Sequence, residues 1–330
     1  MSSSYPKVLV CGGAGYIGSH VVKSLGERGA DVLVYDNLST GHRDMITHGE
    51  LVVGELADTD LLRKTVINFR PDIVIHFAAS IQVGESMQKP FNYYYNNVIN
   101  TLGLLKVISE EGPGALIFSS TAAVYGNPDK IPAHEDTTLA PINPYGTSKL
   151  ISETIMAELA ALNKLDYIAL RYFNVAGADP ENRIGQKYKA ATHLITRALK
   201  TAKGEFSTLK IFGTDYETPD GTCIRDYIHV TDLAEAHVLA MNNLLKSKKN
   251  AIYNVGYGRG SSVWEVINIA REVTGVDFSV EKAPRREGDP PKLIAGAEKI
   301  RKELDWIPKH DSLKFILETA WRWEKSLDVS

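Results

Sequence analysis

This sequence of 330 residues has little cysteine, no excess of either charge and no long apolar run. Its two cysteines, Cys11 and Cys223, provide neither a disulfide framework nor the spacing of a metal site. Residues of both charges are scattered and the net charge is −3, so we expect neither a nucleic-acid footprint nor a polybasic membrane surface. The apolar runs are too short for a transmembrane helix. These absences together predict a cytoplasmic protein that binds neither nucleic acid nor a membrane.

The N-terminus and the histidines exclude two further possibilities. The first residues, 1–6, lack the charged and apolar regions of a signal peptide, so no leader is expected. The nine histidines are dispersed, and none forms an i,i+4 pair with a nearby carboxylate, so no metal site is expected. His76 and His229 lie in apolar segments and are interpreted as hydrogen-bonded core residues.

Strand and helix patterns alternate through the first half of the chain. Short apolar runs predict strands at 7–11, 31–35, 52–53, 72–79, 115–120 and 167–172. Longer amphipathic stretches predict helices at 19–28, 90–111 and 144–162. Such alternation is typical of the α/β class with a doubly wound parallel sheet. Ligands of these sheets bind beyond the C-terminal ends of the strands.

After Asn174 the alternation loosens, which indicates a smaller C-terminal α/β lobe. Glycine and proline cluster at 177–185, 213–221 and 284–291. A strand at 225–230 and a helix at 231–245 are expected to return to the main sheet. The predicted domains are 1–174 with about 225–255, and 175–224 with 256–330.

The first predicted strand runs into a glycine-rich turn, 12–18, that is followed by a helix. This order is the context in which a dinucleotide-binding fingerprint becomes specific. The glycines let the backbone approach a pyrophosphate, which rests on amides at the helix N-terminus. Asp36 ends the next strand, where an acid can bind the adenosine ribose and repel a 2′-phosphate. NAD is therefore favoured over NADP, and an ordinary turn between strand and helix is the alternative.

Tyr145 and Lys149 are four residues apart, directly after Asn143 and Pro144. Proline suits the first helical position and asparagine the cap before it. The two side chains therefore share one helix face, about 6 Å apart along the axis. A tyrosine normally has a pKa of about 10, and a neighbouring ammonium favours the phenolate. The pair predicts a general base, with a solvated pair on a surface helix as the alternative.

The chain resembles the extended short-chain dehydrogenase/reductase superfamily and, more specifically, its UDP-glucose (UDP-galactose) 4-epimerase family. The general resemblance lies in segments 12–20, 36–38, 83–86, 96–97, 119–126, 145–149 and 171–174. The specific resemblance lies in segments 211–216, 220–222, 225–230 and 285–289. It covers essentially the whole chain. It implies a Rossmann domain that binds NAD and a C-terminal lobe that binds a UDP-sugar.

The activity implied by the resemblance is inversion of C4 of a UDP-hexose through a transient 4-keto sugar. Tyr145 would remove the proton of the C4 hydroxyl while the C4 hydride passes to tightly held NAD⁺, from which it returns to the other face of the sugar. Lys149 would lower the pKa of Tyr145 and hold the nicotinamide ribose, and Thr121 would bind the reacting hydroxyl. Family members are usually homodimers, formed through the helices that begin near Pro90 and Pro144.

The resemblance also implies the binding residues. Those for NAD are Gly12, Gly15, Tyr16, Ile17, Gly18, Asp36, Asn37, Glu55, Leu56, Phe77, Ala78, Ala79, Asn96, Ser119, Tyr145, Lys149 and Tyr172. Those for the UDP-sugar are Thr121, Tyr145, Asn174, His193, Leu194, Phe212, Arg225, Arg286, Asp289 and Leu293. Two arginines suit a diphosphate, since each guanidinium can bind its oxygens in a bidentate way. Phe212 would pack near the uracil, and Leu293 would limit the size of the sugar.

Two residues depart from the family pattern, and two others argue against a competing function. Glu55 stands where an aspartate usually meets the adenine, and Ile81 where some members place a lysine. A sugar-nucleotide dehydratase would require an acidic pair after Thr121, where Ala122 and Ala123 stand. A 4-epimerase of another UDP-sugar (N-acetylhexosamine, pentose or uronate) and a non-catalytic NAD-sensing protein are the alternatives.

Overall fold

The structure is a computed structural model that describes residues 5–188 and 192–327. Residues 1–4 lie outside these ranges. They belong to the segment 1–6 from which no leader is expected. The strands are β1 (Lys7–Cys11), β2 (Asp31–Asp36), β3 (Glu50–Val53), β4 (Ile73–His76), β5 (Ala115–Thr121), β6 (Asp166–Tyr172), β7 (Asn174–Ala176), β8 (Leu209–Phe212), β9 (Ile224–His229), β10 (Ala251–Val255), β11 (Gly260–Ser262), β12 (Val280–Ala283) and β13 (Lys292–Leu293). The helices are α1 (Tyr16–Gly26), α2 (Thr59–Phe69), α3 (Val83–Gln88), α4 (Pro90–Tyr94), α5 (Asn100–Glu110), α6 (Pro144–Ala161), α7 (Leu194–Ala202), α8 (Val230–Ser247), α9 (Val263–Thr274), α10 (Glu298–Leu304) and α11 (Leu313–Ser326). None of these helices is long and apolar enough to cross a membrane.

The main sheet is parallel throughout, with the strand order β3-β2-β1-β4-β5-β6-β10. The predicted doubly wound α/β fold is confirmed. The chain order reverses between β1 and β4, since β2 pairs with one edge of β1 and β4 with the other. Beyond the C-terminal ends of these two strands lies the crevice in which sheets of this type bind ligands.

Alternate residues of β1 enter two separate cores, one on each face of the sheet. Val8 and Val10 belong to the core that includes residues of α1 and α8. Leu9 and Cys11 belong to the core that includes residues of α2 and α5. Each fully buried aliphatic side chain contributes about 1.5–3 kcal/mol relative to exposure. Burial on both faces therefore explains why the strand is continuously apolar.

The prediction that the strand near 225–230 joins the main sheet is wrong. β9 lies in a second sheet, where it pairs with β7, β11 and β13. These partners satisfy its backbone hydrogen bonds, so none remain for the main sheet. The elements that do return are α8, which packs against α1 and β6, and β10, which pairs with β6. A further pair, β8 with β12, completes the described strands of the smaller lobe.

The single helix predicted at 90–111 is interrupted. A π-helical turn, Tyr95–Ile99, separates α4 from α5. The wider turn directs two asparagines toward the segment after β4. Asn97 accepts a hydrogen bond from the Ser80 amide at 2.8 Å, and Asn96 donates one to the Ser80 hydroxyl at 3.1 Å. Turns of this kind occur frequently at functional sites.

Candidate active site

The glycine-rich turn between β1 and α1 has the geometry that a dinucleotide requires. Gly12 has φ +82°, and a Cβ there would lie 2.5 Å from the Ala78 nitrogen. A Cβ at Gly18 would lie 2.2 Å from the Gly12 oxygen, so the helix can approach the strand only without one. A Cβ at Gly15 would meet only the Gly12 oxygen, at 3.4 Å, and no side chain of the described residues caps α1. The open, uncapped helix N-terminus fits the pyrophosphate of NAD, with Tyr16, Ile17 and Gly18 as its first amides.

Asp36 is held by backbone amides at the C-terminal end of β2. Its carboxylate accepts hydrogen bonds from the Ala14 amide at 2.9 Å and the Leu38 amide at 2.8 Å. Each oxygen keeps a lone pair for a ribose hydroxyl. Asn37 donates to the Glu55 carboxylate at 2.9 Å. The structure thus brings together the residues predicted for the adenosine end: Asp36, Asn37, Glu55 and Leu56.

The candidate catalytic residues meet where β5 and β6 end and α6 begins. The Thr121 side chain lies beside the Tyr145 phenol and favours a lower pKa for it. Lys149 Nζ donates to the Ser119 backbone oxygen at 2.8 Å, and the Ser119 hydroxyl is bonded to the Tyr172 hydroxyl. The predicted start of the helix is confirmed, since the Asn143 side chain caps α6 and Pro144 is its first residue.

In the protein alone, Lys149 is not among the groups that shift the pKa of Tyr145. Burial raises the pKa of the Tyr145 phenol to about 12, and the neighbouring Thr121 side chain opposes this shift. Burial also lowers the pKa of the Lys149 amine to about 7, with the charge of Glu153 opposing it. Both groups are buried, and desolvation disfavours the charged form of each.

The segment after β4 forms the floor of the crevice. The amides of Phe77 and Ala78 both donate to the Cys11 oxygen, which places this segment against the glycine-rich turn. The Phe77 ring lies 4.8 Å from the ring of His237, a residue of α8 that sequence analysis missed. One histidine in an apolar helix carries no sequence signal, since only the packing of α8 brings it to the crevice. The residues predicted on this segment are Phe77, Ala78 and Ala79, with Asn96 bonded to Ser80 directly after them.

The residues predicted for the UDP end also lie together. The Arg286 guanidinium lies 4.3 Å from the centre of the Phe212 ring, and Arg225 lies 4.0 Å from the Asp289 carboxylate. Burial lowers the pKa of His193, and the neighbouring charge of Arg286 lowers it further. Because the Arg225 side chain is only 12% exposed, its pair with Asp289 is not an ordinary surface ion pair.

Other predicted residues frame this end through backbone pairing. Leu293 of β13 lies beside Arg225 of β9 and is 7% exposed. Asn174 begins β7 and pairs with Tyr227 of β9. Leu194 is the first residue of α7. β9 therefore pairs with both strands that carry these predicted residues, β7 with Asn174 and β13 with Leu293.

Contacts between the lobes join the two ends into one cleft. The Tyr16 hydroxyl donates to the Gly177 oxygen at 2.6 Å. The Asn143 amide group donates to the Gly288 oxygen at 3.4 Å, so the start of α6 contacts the loop that carries Arg286. One cavity is lined by residues predicted for both ligands: Tyr16, Asn174, His193 and Leu194.

Tyr188 is a second residue that sequence analysis missed. Burial raises the pKa of its phenol, and the charge of Asp36 raises it further. Tyr188 in turn contributes to the raised pKa of Tyr145. Its ring is stacked on the ring of His193, with centroids 6.4 Å apart, so it lies beside a residue predicted for the UDP-sugar. It follows a glycine- and proline-rich segment, where neither periodicity nor a motif indicates a site.

Comparisons with known proteins agree with this geometry. The sequence profile of the NAD dependent epimerase/dehydratase family matches residues 8–256. The UDP-glucose 4-epimerase of Azospirillum brasilense is 50% identical over 330 residues, covering 100% of this chain and 95% of that protein.

Solved structures extend the similarity to the fold. The crystal structure of UDP-glucose 4-epimerase from Brucella ovis in complex with NAD has a TM-score of 0.93 and 46% identity, covering 96% of this chain and 98% of that one. The structure from Bifidobacterium longum in complex with NAD⁺ and UDP has a TM-score of 0.93 and 36% identity, covering 97% and 98%. The chain therefore belongs to the NAD dependent epimerase/dehydratase family and, within it, to the UDP-glucose 4-epimerases.

Proposed function

We propose that this protein interconverts UDP-glucose and UDP-galactose by inverting C4, with NAD as the bound cofactor and Tyr145 as the general base. The observation that carries the proposal is the position of the Thr121 side chain beside the Tyr145 phenol, where β5 ends and α6 begins. On one side of this pair stands the uncapped helix N-terminus of the glycine-rich turn. On the other side lie Arg225 and Arg286, whose guanidinium groups suit a diphosphate.

The chain handles the C4 proton through Thr121 and Tyr145. The two side chains are neighbours, so a sugar hydroxyl placed against both can pass its proton to the phenol. A phenol with a pKa of about 12 retains its own proton at neutral pH, so base function requires added positive charge. When bound, NAD⁺ would supply that charge and would accept and return the C4 hydride. Lys149, whose pKa is about 7, can carry part of the charge and donate to a ribose hydroxyl.

Further residues would hold the cofactor along the crevice. The amides at the start of α1 would bind the pyrophosphate. Asp36 would accept from the adenosine ribose, with Asn37 and Glu55 beside it. Phe77 and Tyr172, whose rings both pack against His237, would form the wall near the nicotinamide end.

The UDP end would be fixed while the sugar moves. Arg225 and Arg286 would clamp the diphosphate, and Phe212 would lie against the uracil. A 4-keto sugar held only through its nucleotide can present either face to the hydride donor, which is what inversion of C4 requires. Leu293 would limit the room available to the sugar. The relatives described above are named for UDP-glucose, which favours a UDP-hexose over the other UDP-sugars.

We also infer a homodimer formed through α4, α5 and α6. Phe91 is 86% exposed, Tyr95 61% and Ile99 52%. Together with Ile151 of α6 they line one apolar groove. Contiguous exposed apolar surface of this kind is typical of an interaction site.

We also propose a division into two domains and a cellular setting. Residues 1–174 with α8 and β10 would form the NAD-binding domain, and the remaining segments the UDP-sugar lobe. Both cysteines, Cys11 and Cys223, are free and buried, which suits a cytoplasmic enzyme of galactose metabolism.

The direct test is turnover of purified protein on four UDP-sugars in parallel: UDP-galactose, UDP-N-acetylgalactosamine, UDP-arabinose and UDP-galacturonate. We expect UDP-galactose to give UDP-glucose at the highest kcat/KM, with products separated by chromatography. A higher kcat/KM on one of the other three would establish the alternative substrate. No turnover on any of them, with NAD bound, would instead indicate a non-catalytic NAD-sensing protein.

A further inference from the structure

A buried ion pair joins α6 to the two strands that end at the candidate catalytic site. Glu153 of α6 is 4% exposed and Arg171 of β6 is 1% exposed. The Arg171 Nε donates to both oxygens of the Glu153 carboxylate, at 3.0 and 3.2 Å, and the Nη2 donates to one of them at 2.5 Å. The hydroxyl of Ser120 in β5 donates to the same carboxylate. One side chain of the helix therefore binds two adjacent strands of the main sheet.

The residue of β5 that binds this carboxylate stands between two residues of the site. Ser120 follows Ser119, whose backbone oxygen accepts a hydrogen bond from Lys149 at 2.8 Å. It precedes Thr121, whose side chain lies beside the Tyr145 phenol. Successive residues of a strand are held about 3.3 Å apart, so a shift of Ser120 along the strand would displace both neighbours.

The residue of β6 that binds the carboxylate also adjoins the site. Arg171 pairs in register with Ser120, and the next residue, Tyr172, pairs with Thr121. The Tyr172 hydroxyl is bonded to the Ser119 hydroxyl. Both strands end one residue after the pair that contacts the carboxylate. The ion pair therefore fixes the ends of β5 and β6 relative to each other and to α6.

The position of the carboxylate on α6 connects it to the catalytic pair. Glu153 lies one helical turn after Lys149 and two turns after Tyr145, so the three side chains lie on one side of the helix. All three are buried. A rotation or a slide of α6 would move them together, and the ion pair with β6 opposes both movements.

A need for stability does not by itself explain an ion pair at this place. Two residues earlier in the same strands, Phe118 and Ala169 belong to the apolar core on this face of the sheet. Removing two charges from water offsets much of their attraction, and apolar side chains of similar volume often stabilise a core as well or better. A guanidinium that binds a carboxylate through two nitrogens is directional, however. The pair is therefore better suited to specifying an arrangement than to adding free energy of folding.

We propose that Glu153 is a positioning residue of the reaction: paired with Arg171, it holds the ends of β5 and β6 against α6, so that Thr121 and Lys149 keep their places around Tyr145. The inference rests on the proposed function, because it concerns the residues assigned to the C4 proton. A displacement of about 1 Å at a reacting group can reduce the rate of an enzyme roughly a hundredfold.

The charge of Glu153 also acts on Lys149. Burial lowers the pKa of Lys149 to about 7, and the carboxylate opposes this shift. The other titratable groups around the amine on α6, β4 and β6 are Tyr145, His76, Tyr172 and, paired with the carboxylate, Arg171. The histidine and the tyrosines are uncharged at neutral pH, since burial lowers the pKa of the first to about 3 and raises those of the others. Without the carboxylate, Lys149 should lose its proton at a lower pH.

The test separates the placement of the catalytic residues from the stability of the fold. Glu153→Gln keeps the shape of the side chain and removes its charge, and the double variant Glu153→Leu/Arg171→Met replaces the pair by apolar side chains. Glu272→Gln, which removes a carboxylate from an exposed ion pair, is the control. We expect kcat on UDP-galactose to fall roughly tenfold to a hundredfold in the first two proteins and to stay unchanged in the control.

Two comparisons show whether the effect is one of positioning. KM should change little, since the nucleotide would be held from the other lobe. The double variant should resist urea about as well as the wild type, because its core is apolar and packed, and yet keep its low kcat. A double variant with the kcat of the wild type would overturn the proposal. If Glu153→Gln does not fold, as judged by circular dichroism, the double variant decides alone.

A further readout does not depend on turnover. The titration of Lys149 is followed by NMR in holoprotein that carries isotope-labelled lysine, with Lys149→Met to assign the signal. We expect the midpoint to lie at a lower pH in Glu153→Gln than in the wild type and to be unchanged in Glu272→Gln. An unchanged midpoint in Glu153→Gln would refute the action of this carboxylate on the amine. A shifted midpoint in a protein whose wild type epimerises none of the UDP-sugars would refute the proposed function alone.

Discussion

Lys149 Nζ donates to the backbone oxygen of Ser119 at 2.8 Å, which ties α6 to β5 one turn beyond Tyr145. The amine is therefore positioned by the strand and not by the phenol four residues earlier. The Tyr145 phenol has Thr121 as its neighbour instead. The amine and the phenol therefore have different neighbours, although they lie four residues apart on α6.

Replacement of Tyr145 by phenylalanine should remove the base and preserve binding. We expect kcat on UDP-galactose to fall roughly 10²- to 10⁴-fold, the usual contribution of a general base. The affinities for NAD and UDP, measured by calorimetry, should change little, since the ring remains. Tyr5→Phe, at an exposed position, is the control. Retention of more than half of the wild-type turnover would contradict the assignment.

The purified protein should carry NAD without any being added, and Asp36 should exclude NADP. A carboxylate at the 2′ position repels the extra phosphate. Apo-protein should therefore be activated by NAD and not by NADP. The Asp36→Asn substitution should reduce the ratio of activation by NAD to activation by NADP. Asp31→Asn, at the exposed start of the same strand, should leave it unchanged. Equal activation of wild-type apo-protein by the two cofactors would refute the role of Asp36.

Leu293 should determine how large a sugar is accepted. Leucine is intermediate in size, so we expect strong turnover of UDP-galactose and weak turnover of UDP-N-acetylgalactosamine. Leu293→Tyr should suppress the N-acetyl activity and Leu293→Ser should raise it, each by about 1–3 kcal/mol in kcat/KM. Ile294→Val is the control, because that side chain is directed toward Gly260. An unchanged ratio in both Leu293 variants would show that this residue does not line the pocket.

A charge in the apolar groove should dissociate the proposed dimer. Phe91→Glu places a carboxylate at a side chain that is 86% exposed in the single chain. We expect the wild type to sediment as a dimer and this variant as a monomer in analytical ultracentrifugation. Ile307→Glu, at an apolar residue that is 74% exposed elsewhere, should remain dimeric. A dimeric Phe91→Glu protein would show that the groove is not the interface.

Stability should fall steeply below pH 6.5, because burial keeps four histidines neutral. Their pKa values are lowered to about 4 for His20 and His237 and about 3 for His76 and His229. The unfolded chain takes up these protons first, so stability is complete above pH 6.5 and is lost as the pH falls toward 4. Each histidine adds a slope of about 1.4 kcal/mol per pH unit.

Asp226 acts in the opposite direction over part of this range. Burial raises its pKa to about 6, so its contribution is present below its unfolded value of 3.8 and is lost as the pH rises through 6. The pH dependence of stability that this one carboxyl contributes offsets only part of that contributed by the four histidines. Urea unfolding between pH 7 and pH 5, with NAD in constant excess, should show the fall. His76→Gln should reduce the slope and the exposed His134→Gln should not. A wild-type free energy of unfolding that is independent of pH would contradict this account.

Local signals in the sequence were sufficient for much of the fold. The bounds of β1 agree with the prediction, and those of β5 differ by one residue. The cap of α6 at Asn143 is confirmed because capping depends on one side chain and the amide three residues later. Gly12 and Gly18 could be recognised because their role requires the absence of a side chain.

Tertiary packing decided what the local pattern left open. An apolar run such as 225–230 predicts a strand but does not specify its sheet, since pairing depends on which edges remain free. The turn at Asn96 and Asn97 widened because both side chains bond to Ser80, sixteen and seventeen residues earlier. The sign of the pKa shift at Tyr145 depended on burial, which the spacing to Lys149 does not reveal.

Residue types in the sequence therefore indicate the chemistry of the site, and long-range contacts determine its geometry. Tyr145, Lys149, Thr121 and the glycine-rich turn could be identified because each belongs to a short motif in the sequence. His237 and Tyr188 could not, since each reaches the cleft only through the folding of distant segments. Desolvation and hydrogen bonding between distant segments exist only in the folded chain, and they set the protonation of the catalytic pair.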